Sequence, residues 1–451
     1  MNKSNVLSAI AALLVATAAP AQQPPAIRPL GPVVAASSEP FGANVFLRHL
    51  MGGVLVNDVQ NRRLLLLDAQ LANPVVVADT TPATANAYSG RVAGLLAYRG
   101  DSSLFVDPQS MSMLVIDPAG KLTGRVMSVP RSQDAAFMGN TQLGAPAFDN
   151  EGRLVYRGMP RFEMRPPMRS ANGSMIMEAP VIPDTTAVYR INLATRAMDT
   201  VGFLKIPRVK MDVQNNDGRI SMRSIMNPLP IVDEWAVLSD GSVAFVRGRD
   251  YHIDWLRPDG TRSSSPKIPF EWQRMTDEDK GAFIDSVKAA RDRLMANAPT
   301  PAPGQGGPGG VGGGGGAGIA GGGGGGGAQV FVFGGDGGRA PPARGGAGGP
   351  GGQGGPGGPQ MSFVTPDELP DYKPPFFAGS VRADADGHLW IRTIPTKAIA
   401  GGIVYDVINS QGELIERVQV PADRTIVGFG AGGVVYLRVG ETSKLERASD
   451  K

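Results

Sequence analysis

One short phrase constrains this chain more than any other feature, because it returns six times along the sequence. In each copy a turn with glycine or other small residues leads into a β-branched or aromatic run, and a charged residue closes the run. Asp58 and Asp107, which close the first two copies, are 49 positions apart. This offset is close to the repeat of roughly 40 to 50 residues that is typical of a four-stranded propeller blade. The six copies end at Asp58, Asp107, Arg157, Arg247, Arg392 and Arg438.

The repeat predicts an all-β fold, a six-bladed β-propeller of four-stranded antiparallel blades. Turns that carry glycine also follow the second apolar runs, as at residues 118–120 and 411–412, which is the pattern of antiparallel strands. The last copy leaves room for only three strands. We therefore expect the apolar segment near residues 32–36 to supply the missing outer strand, because closing the ring protects the strand edges. A β-sandwich, the alternative all-β architecture, would not explain six copies of one phrase.

Three stretches carry further motifs, namely VDEWAVLSDG at residues 232–241, YHIDW at residues 251–255 and DGHLWI at residues 386–391. With these motifs the chain resembles the exported bacterial six-bladed propellers, a broad group similar to the NHL and TolB-like families, over most of residues 41–447. The resemblance implies a propeller fold. It does not imply one activity, since such propellers include carbohydrate, peptide and protein binders as well as a few hydrolases.

The N-terminus has the pattern of an export signal. A lysine is followed by an apolar run of signal-peptide length and by small residues at a cleavage site, so we expect residues 1–21 to be removed. Residues 22–40 then form the segment that closes the ring. The chain has no cysteine, which excludes disulfides and thiolate chemistry. No apolar run reaches the roughly 20 residues of a membrane span, and the sequence therefore predicts a periplasmic or secreted protein.

Three long insertions interrupt the regular blades at residues 158–185, 205–231 and 270–377. Given the up-and-down order of strands in a blade, all three emerge on one face, and propellers commonly bind ligands through such loops. The third insertion begins with an amphipathic pattern that predicts a helix over residues 276–296.

The domain organisation follows from these insertions. Blades 1–4 occupy residues 41–297 and blades 5–6 occupy residues 362–451. Residues 298–361, which separate them, are rich in glycine and proline, a composition that cannot bury a core, and we expect a disordered linker there.

The sequence predicts no catalytic residue, no cofactor and no metal site. None of the three histidines belongs to a metal-binding spacing, and there is no nucleophile elbow or phosphate loop. Because some propeller lactonases hold a metal in the central channel, four residues are candidate oxygen ligands for calcium: Asn57, Asp58, Asp107 and Asp149. An Asp that closes a strand is also typical of an Asx turn, and this structural interpretation is the one that we favour.

The six closing residues form a ring of charges at one level of the propeller. Two of the charges are acidic and have a basic neighbour on the next blade. We therefore predict structural ion pairs between Asp107 and Arg157 and between Asp58 and Arg438, which would tie neighbouring blades together.

That pairing leaves Arg247 and Arg392 without an acid at the same level, and Arg249 adds to the same positive region. Guanidinium groups bind carboxylates and phosphates in a forked geometry. The sequence therefore predicts that Arg247 and Arg392, with Arg249 and Arg157, bind an anionic group. Solvated surface arginines are the structural alternative. Further arginines lie on the first insertion: Arg161, Arg165 and Arg169.

The leading functional interpretation is a non-enzymatic, exported propeller that binds an anionic small molecule or a protein through its inserted face. The alternative is a metal-dependent hydrolase of the propeller lactonase type, with a divalent cation in the central channel. The formal net charge of +3 is slight for 451 residues, which argues against a strongly basic nucleic-acid-binding protein. We expect a monomer.

Overall fold

The computed structural model describes residues 24–89, 94–107, 109–139, 144–160, 166, 168–169, 175–176, 178–208, 210–216, 219–296, 362–397 and 399–450. The predicted signal peptide and the predicted glycine- and proline-rich linker lie outside these residues.

Within the described residues, the strands form six main sheets that follow one another along the chain. Two strands precede these sheets, β1 (Ile27–Pro29) and β2 (Val33–Ala36). The first sheet contains β3 (Val45–Leu50), β4 (Gly53–Asp58), β5 (Arg63–Leu67) and β6 (Val75–Ala78). The second contains β7 (Gly94–Ala97), β8 (Ser103–Asp107), β9 (Ser112–Ile116) and β10 (Leu122–Ser128). The third contains β11 (Ala147–Phe148), β12 (Leu154–Arg157), β15 (Thr185–Ile191) and β16 (Met198–Lys205).

The remaining sheets repeat the same antiparallel order. The fourth contains β19 (Asp233–Val237), β20 (Val243–Arg247), β21 (His252–Leu256) and β22 (Arg262–Ser264). The fifth contains β24 (Phe376–Ala383), β25 (Leu389–Thr393), β26 (Gly402–Ile408) and β27 (Leu414–Pro421). The sixth contains β28 (Arg424–Gly430), β29 (Val434–Val439) and β30 (Leu445–Ser449), and β2 is its fourth strand.

Each sheet buries both of its faces against its two neighbours. Side chains alternate along a strand, so that in β12 Tyr156 packs towards the second sheet and Val155 towards the fourth. Six apolar clusters of described residues fill the six contacts between neighbouring sheets. One of them joins Val54 of the first sheet to Tyr436 of the sixth, and the sheets therefore form a closed ring.

The N-terminal strands lie at the seam of this ring. β2 pairs antiparallel with β30, at the position where the sequence analysis expected a closing strand. Ser37 continues this contact, because its hydroxyl accepts a hydrogen bond from the backbone N–H of Leu445 at 2.9 Å. β1 pairs in parallel with β27 and adds a fifth strand to the fifth sheet.

Side chains that reach the backbone or a buried polar group of a neighbouring blade supplement the apolar contacts. Arg257 in the fourth blade donates to the carbonyl of Ser410 in the fifth at 2.7 Å. Between the same blades, the buried Tyr251 hydroxyl donates to Asp406 at 2.8 Å. The fourth and fifth blades are therefore tied by polar contacts to a backbone carbonyl and to a buried carboxylate.

The predicted inserted helix is confirmed as α2 (Asp277–Ala296). Thr276 and Asp279 form a reciprocal cap at its start, with the Thr276 hydroxyl donating to the Asp279 carboxylate at 2.8 Å. The side chains of Ile284 and Val287 are buried, as the amphipathic pattern predicted. A shorter helix that the sequence analysis did not predict, α1 (Ala135–Gly139), lies between β10 and β11.

The second and third insertions combine into one layer. It contains the hairpin β17 (Lys210–Asn216) and β18 (Arg219–Met226), and β18 pairs in parallel with β23 (Ser362–Phe363). A separate apolar cluster joins this layer to α2: Leu229, Met275, Ile284, Val364 and Leu369. The described part of the first insertion contains a short hairpin, β13 (Met168–Arg169) and β14 (Met175–Ile176).

Four 3₁₀ turns complete the described elements, at Pro82–Thr84, Arg99–Asp101, Ser132–Asp134 and Pro366–Glu368. None of the helices in the described part of the chain is long and apolar enough to cross a lipid bilayer. The predicted fold class, an all-β propeller of four-stranded blades with an inserted helix, is confirmed by this arrangement.

Deletion of the N-terminal strands tests how the ring is closed. Removal of the chain up to residue 31 deletes β1, which extends a sheet that already has four strands. Removal up to residue 40 also deletes β2 and exposes the edge of β30. We expect the longer deletion to lower the free energy of unfolding by at least about 2 kcal/mol more than the shorter one, because each lost ladder hydrogen bond contributes about 1 kcal/mol. Urea denaturation measures the difference, and equal stability of the two truncated proteins would contradict closure through β2.

Candidate functional site

The decorated face, defined as the face on which the second strand of each sheet ends, carries the ends of β4, β8, β12, β20, β25 and β29. The connections between the second and third strands, and those from one sheet to the next, emerge on this face because the strands of a sheet alternate in direction. The pairing of β18 with β23 brings two of the insertions together here. The decorated face is therefore the place to look for a site.

The predicted ion pair between Asp58 and Arg438 is wrong. Asp58 instead pairs with Arg63 across the turn of its own sheet, with 3.0 Å between Asp58 Oδ2 and Arg63 Nε. It also accepts a hydrogen bond from the backbone N–H of Gly42 at 3.1 Å, while Arg438 donates to the carbonyl of Gly42 at 2.7 Å. The two charges thus bind the same backbone segment. A partner within the hairpin is already close along the chain, which makes the local pair easier to order.

The predicted ion pair between Asp107 and Arg157 is also wrong, because Asp107 binds groups of its own sheet. The Asp107 carboxylate accepts hydrogen bonds from the N–H of Gln109 at 3.1 Å and from the hydroxyl of Ser110 at 2.7 Å. This is an Asx turn, and it uses the side chain that the sequence analysis had assigned to a neighbouring blade.

Arg247 is not left without an acid, which corrects the basis of the predicted anion site. Its Nη1 lies 2.8 Å from Asp233 Oδ2 and its Nε lies 2.8 Å from Asp254 Oδ2. A third hydrogen bond goes to the carbonyl of Phe203 on the third sheet. Arg247 is therefore a structural residue that ties β19, β20 and β21 to the neighbouring sheet.

Arg392 has no ion pair and no hydrogen bond within the described residues. By strand alternation it lies on the same side of β25 as Trp390, which packs against the sixth sheet. Arg247 lies on the side of Phe245, which packs against the third sheet. The two guanidinium groups consequently face different blade contacts. Anion binding by Arg392 stays a prediction, as does the contribution of the exposed Arg249.

The remaining candidate, Arg157, has the most unusual environment of the predicted residues. Its side chain is 4% exposed, yet its Nε and Nη2 have no hydrogen-bond partner among the described residues. The guanidinium lies over the ring of Phe137 in α1, 5.6 Å from the ring centroid. Burial lowers the pKa of Arg157 to about 10, and the charge of Glu234 opposes this shift. The group is still a cation at neutral pH.

Glu234, at the start of β19, the first strand of the fourth sheet, is the acid whose charge raises the pKa of Arg157. It is 2% exposed. Its Oε1 accepts a hydrogen bond from the backbone N–H of Gly379 at 2.8 Å, whereas Oε2 has no partner. Burial raises the pKa of Glu234 to about 7, although the Gly379 hydrogen bond and the charge of Arg157 each lower it. Glu234 therefore titrates near neutral pH.

Arg157 and Glu234 attract each other electrostatically without forming an ion pair or a hydrogen bond. Burying unpaired charges and unsatisfied polar atoms costs several kcal/mol, so such an arrangement is uncommon unless it has a use. The pair combines a cationic donor with a carboxyl group that can donate or accept a proton. We take this pair, which we call the buried charge pair, as the candidate functional site.

Glu234 is not among the residues predicted from the sequence. It stands next to Asp233 in the VDEWAVLSDG motif. Since the side chains of adjacent strand residues point in opposite directions, the two acids face different blade contacts. Asp233 pairs with Arg247 on the side of the third sheet, and Glu234 faces the fifth sheet, where it accepts from Gly379.

Of the four residues named as calcium ligands, Asp149 lies apart from the other three. Asp149 forms an Asx turn at the end of β11, on the face opposite to the ends of β4 and β8, with its Oδ1 accepting the backbone N–H of Arg153 at 2.9 Å. Asn57 accepts a hydrogen bond from the hydroxyl of Tyr88 at 2.8 Å. In the described part of the chain, no group of three or more His, Cys, Asp or Glu side chains is arranged to hold a metal ion. Of the arginines on the first insertion, Arg169 is exposed and the other two lie outside the described residues.

No family model and no curated protein matches the chain. Among solved structures, the chain is similar to a member of the DUF4221 family from Bacteroides vulgatus, with 10% identity, a TM-score of 0.40 and coverage of 94% of this chain and 95% of that one.

It is also similar to a gluconolactonase from Xanthomonas campestris, with 12% identity, a TM-score of 0.34 and coverage of 94% and 99%. A third match is a calcium-binding regucalcin from Agrobacterium tumefaciens, with 11% identity, a TM-score of 0.31 and coverage of 94% and 95%. These structures are propeller-type proteins. At such identities and TM-scores the similarity carries no information on activity.

Replacement of Arg247 tests its structural role. We expect Arg247→Gln to lower the free energy of unfolding by about 2 kcal/mol, because hydrogen bonds to charged groups contribute about that much and two carboxylates lose their arginine partner. Arg249→Gln, at an exposed position two residues away, is the matched control and should leave stability unchanged. Equal stability of the two variants in urea denaturation would show that the ion pairs of Arg247 are unimportant.

Replacement of Glu234 tests the burial of its carboxyl group. Because the pKa in the folded state is raised from 4.5 to about 7, the folded protein binds more protons than the unfolded chain in this window, and stability falls as pH rises through it. Glu234→Gln removes this loss. The stability of the variant relative to the parent should therefore rise by about 3 kcal/mol between pH 4.5 and pH 8.

Denaturant unfolding at several pH values measures this difference. Glu151→Gln, at a side chain that is 62% exposed, is the control and should show no such trend. A difference between Glu234→Gln and the parent that does not change with pH would mean that Glu234 is ionised in the fold without penalty.

Proposed function

We propose that this protein is an exported, non-enzymatic binding propeller that holds an anionic ligand on its decorated face, with Arg157 as the residue that receives the anion. The observation that carries the proposal is the buried guanidinium of Arg157, whose Nε and Nη2 lack hydrogen-bond partners among the described residues. A carboxylate or phosphate oxygen would satisfy both donors in the forked geometry that arginine favours.

The surroundings of Arg157 support a binding role. The ring of Phe137 lies over the guanidinium and forms a cation–π contact with it. The site stands on strands of the rigid ring, and the insertions nearby are on the same face. A preformed, largely desolvated cation strengthens charge-assisted hydrogen bonds to a ligand.

A second candidate function rests on Glu234. A carboxyl group that titrates near pH 7 suits a general acid or base, and hydrolysis in the manner of the propeller lactonases, with a divalent cation in the channel, is the corresponding activity. Lactone turnover that requires a divalent cation and is lost in Glu234→Gln would favour this candidate. Calcium or zinc that stays bound at one equivalent after dialysis would favour it as well.

The binding proposal is tested with a panel of simple anions. Acetate, glycolate, gluconate and phosphate are titrated into the purified protein at mildly acidic pH, and binding is measured by calorimetry and by thermal shift. We expect at least one carboxylate to bind, and Arg157→Gln to weaken its binding at least about tenfold, since one good charge-assisted contact contributes 1.4 kcal/mol or more.

The matched control is Arg125→Gln, at an exposed arginine of β10, which should bind as the parent does. Arg392→Gln is measured in parallel, because Arg392 remains a predicted ligand residue. Binding that survives Arg157→Gln unchanged, or an absence of binding by every anion of the panel, would contradict the proposal.

A further inference from the structure

We propose that a groove between the first and second blades binds an organic ammonium ion that carries an apolar tail. The groove is a cavity of about 810 Å³ between the outer strands of the two sheets, and this volume lies within the roughly 300 to 1,000 Å³ of small-molecule sites. We call it the rim groove, because β6 and β10, which form its sides, are the last strands of their sheets. Arg157 is not among the described residues that line it, so the proposal is independent of the function proposed above.

The walls of the rim groove consist of valine and leucine side chains, several of which the fold leaves accessible. Val75 and Val76 of β6 are 58% and 50% exposed, and Val126 of β10 is 58% exposed. Further apolar side chains complete the walls: Leu66, Val77, Leu114 and Leu122. Single exposed apolar residues are common on proteins, whereas a contiguous set around a cavity is typical of a ligand site.

Asp107 supplies a buried negative charge in the same groove. The residue is 3% exposed and lines the cavity. Its hydrogen-bond partners among the described residues are neutral donors, namely the N–H of Gln109 and the hydroxyls of Ser89 and Ser110. Buried carboxylates are usually paired with a cation. A cationic group of a ligand would therefore complete the environment of Asp107.

Arg62, which follows the end of β4, is committed to other groups. Its Nη2 donates to the carbonyl of Tyr88 at 3.0 Å and to that of Ser89 at 2.7 Å. Within the described residues it forms no ion pair with Asp107. The guanidinium of Arg62 thus holds the backbone of the neighbouring segment, and the carboxylate of Asp107 remains available to a ligand.

The polar groups beside Asp107 suit an ammonium group. A carboxylate offers about four acceptor positions, so the three neutral donors leave capacity for one more. The hydroxyl oxygens of Ser110 and Ser112 lie 2.6 Å apart, and both residues line the groove. A primary ammonium group has three N–H donors, which can bind the carboxylate and these two hydroxyl oxygens together.

The two ends of the rim groove carry opposite charges. Asp107 lies where β8 ends, on the decorated face. Lys121 lies in the turn between β9 and β10 and lines the other end, because β9 runs away from the decorated face. A second cation on the ligand would meet Lys121 and would lose its water inside an apolar groove. The site should therefore prefer a monoammonium ion to a diammonium ion of the same length.

A series of alkylammonium ions tests the groove. Butyl-, hexyl- and octylammonium are titrated into the purified protein at neutral pH, where amines of this kind are protonated, and below the concentrations at which they form micelles. We expect the Kd from calorimetry to fall about two- to fourfold for each added methylene group, since burial of a methylene group is favourable by about that factor. The diammonium ion of octane should bind more weakly than octylammonium.

Comparison of head groups tests the role of Asp107. Octylammonium and octanol share a tail and differ in charge. The parent protein should bind octylammonium at least about tenfold more tightly, because hydrogen bonds between charged groups are stronger than neutral ones. Asp107→Asn should lose this preference and keep the turn, since Asn also forms Asx turns. If Asp107→Asn does not fold, the comparison of the two head groups in the parent protein decides alone.

Replacement of a wall residue tests the location of the ligand. Val126→Gln should weaken the binding of octylammonium at least about threefold, because the tail loses an apolar contact. Val34→Gln is the matched control and should bind as the parent does. Val34 of β2 is also 58% exposed, and it is not among the residues that line the groove.

Three outcomes would overturn the proposal. Equal binding of octylammonium and octanol by the parent protein would show that the charge of the ligand is not recognised. Equal affinities of Val126→Gln and Val34→Gln would show that the tail does not lie in the rim groove. Absence of binding by every member of the alkylammonium series would contradict the site as a whole. Each of these results leaves the binding of anions by Arg157 to its own test.

Discussion

Burial of both faces of every sheet is the constraint on which the rest of this structure depends. A four-stranded blade with apolar side chains on both faces is stable only between two neighbours, so the six apolar clusters require a closed ring. The ring closes where β2 pairs with β30 and where Tyr436 packs against the first sheet. Because the contacts between blades are set by the strands, the connections on the decorated face are free to vary in length and sequence.

The contrast between fixed strands and variable connections explains where the candidate site lies. Arg157 ends β12 and Glu234 begins β19, so the two groups stand on strands of neighbouring blades. Each charge acts on the pKa of the other group, and the two side chains form no ion pair. A rigid scaffold can keep a buried cation and a neutral carboxyl group ready for a ligand.

The sequence was a good guide to the sheets and a poor guide to the charges. The repeated phrase predicted the second strand of each blade because burial on both faces demands apolar residues at regular spacing. The ring of charges was misjudged because a residue at a strand end can turn to the next blade or fold back on its own hairpin. Asp58 and Asp107 fold back. Glu234 escaped notice because its role depends on Gly379, which follows 145 positions later.

The central claim is that the buried guanidinium of Arg157 receives an anionic group on the decorated face. NMR spectroscopy of the arginine Nε–H resonances on addition of acetate measures this directly, because a new hydrogen bond shifts the resonance of its donor. The account predicts that acetate shifts one resonance and that Arg157→Gln lacks this resonance. Acetate binding that shifts no arginine resonance, or a shift that persists in Arg157→Gln, would contradict the account.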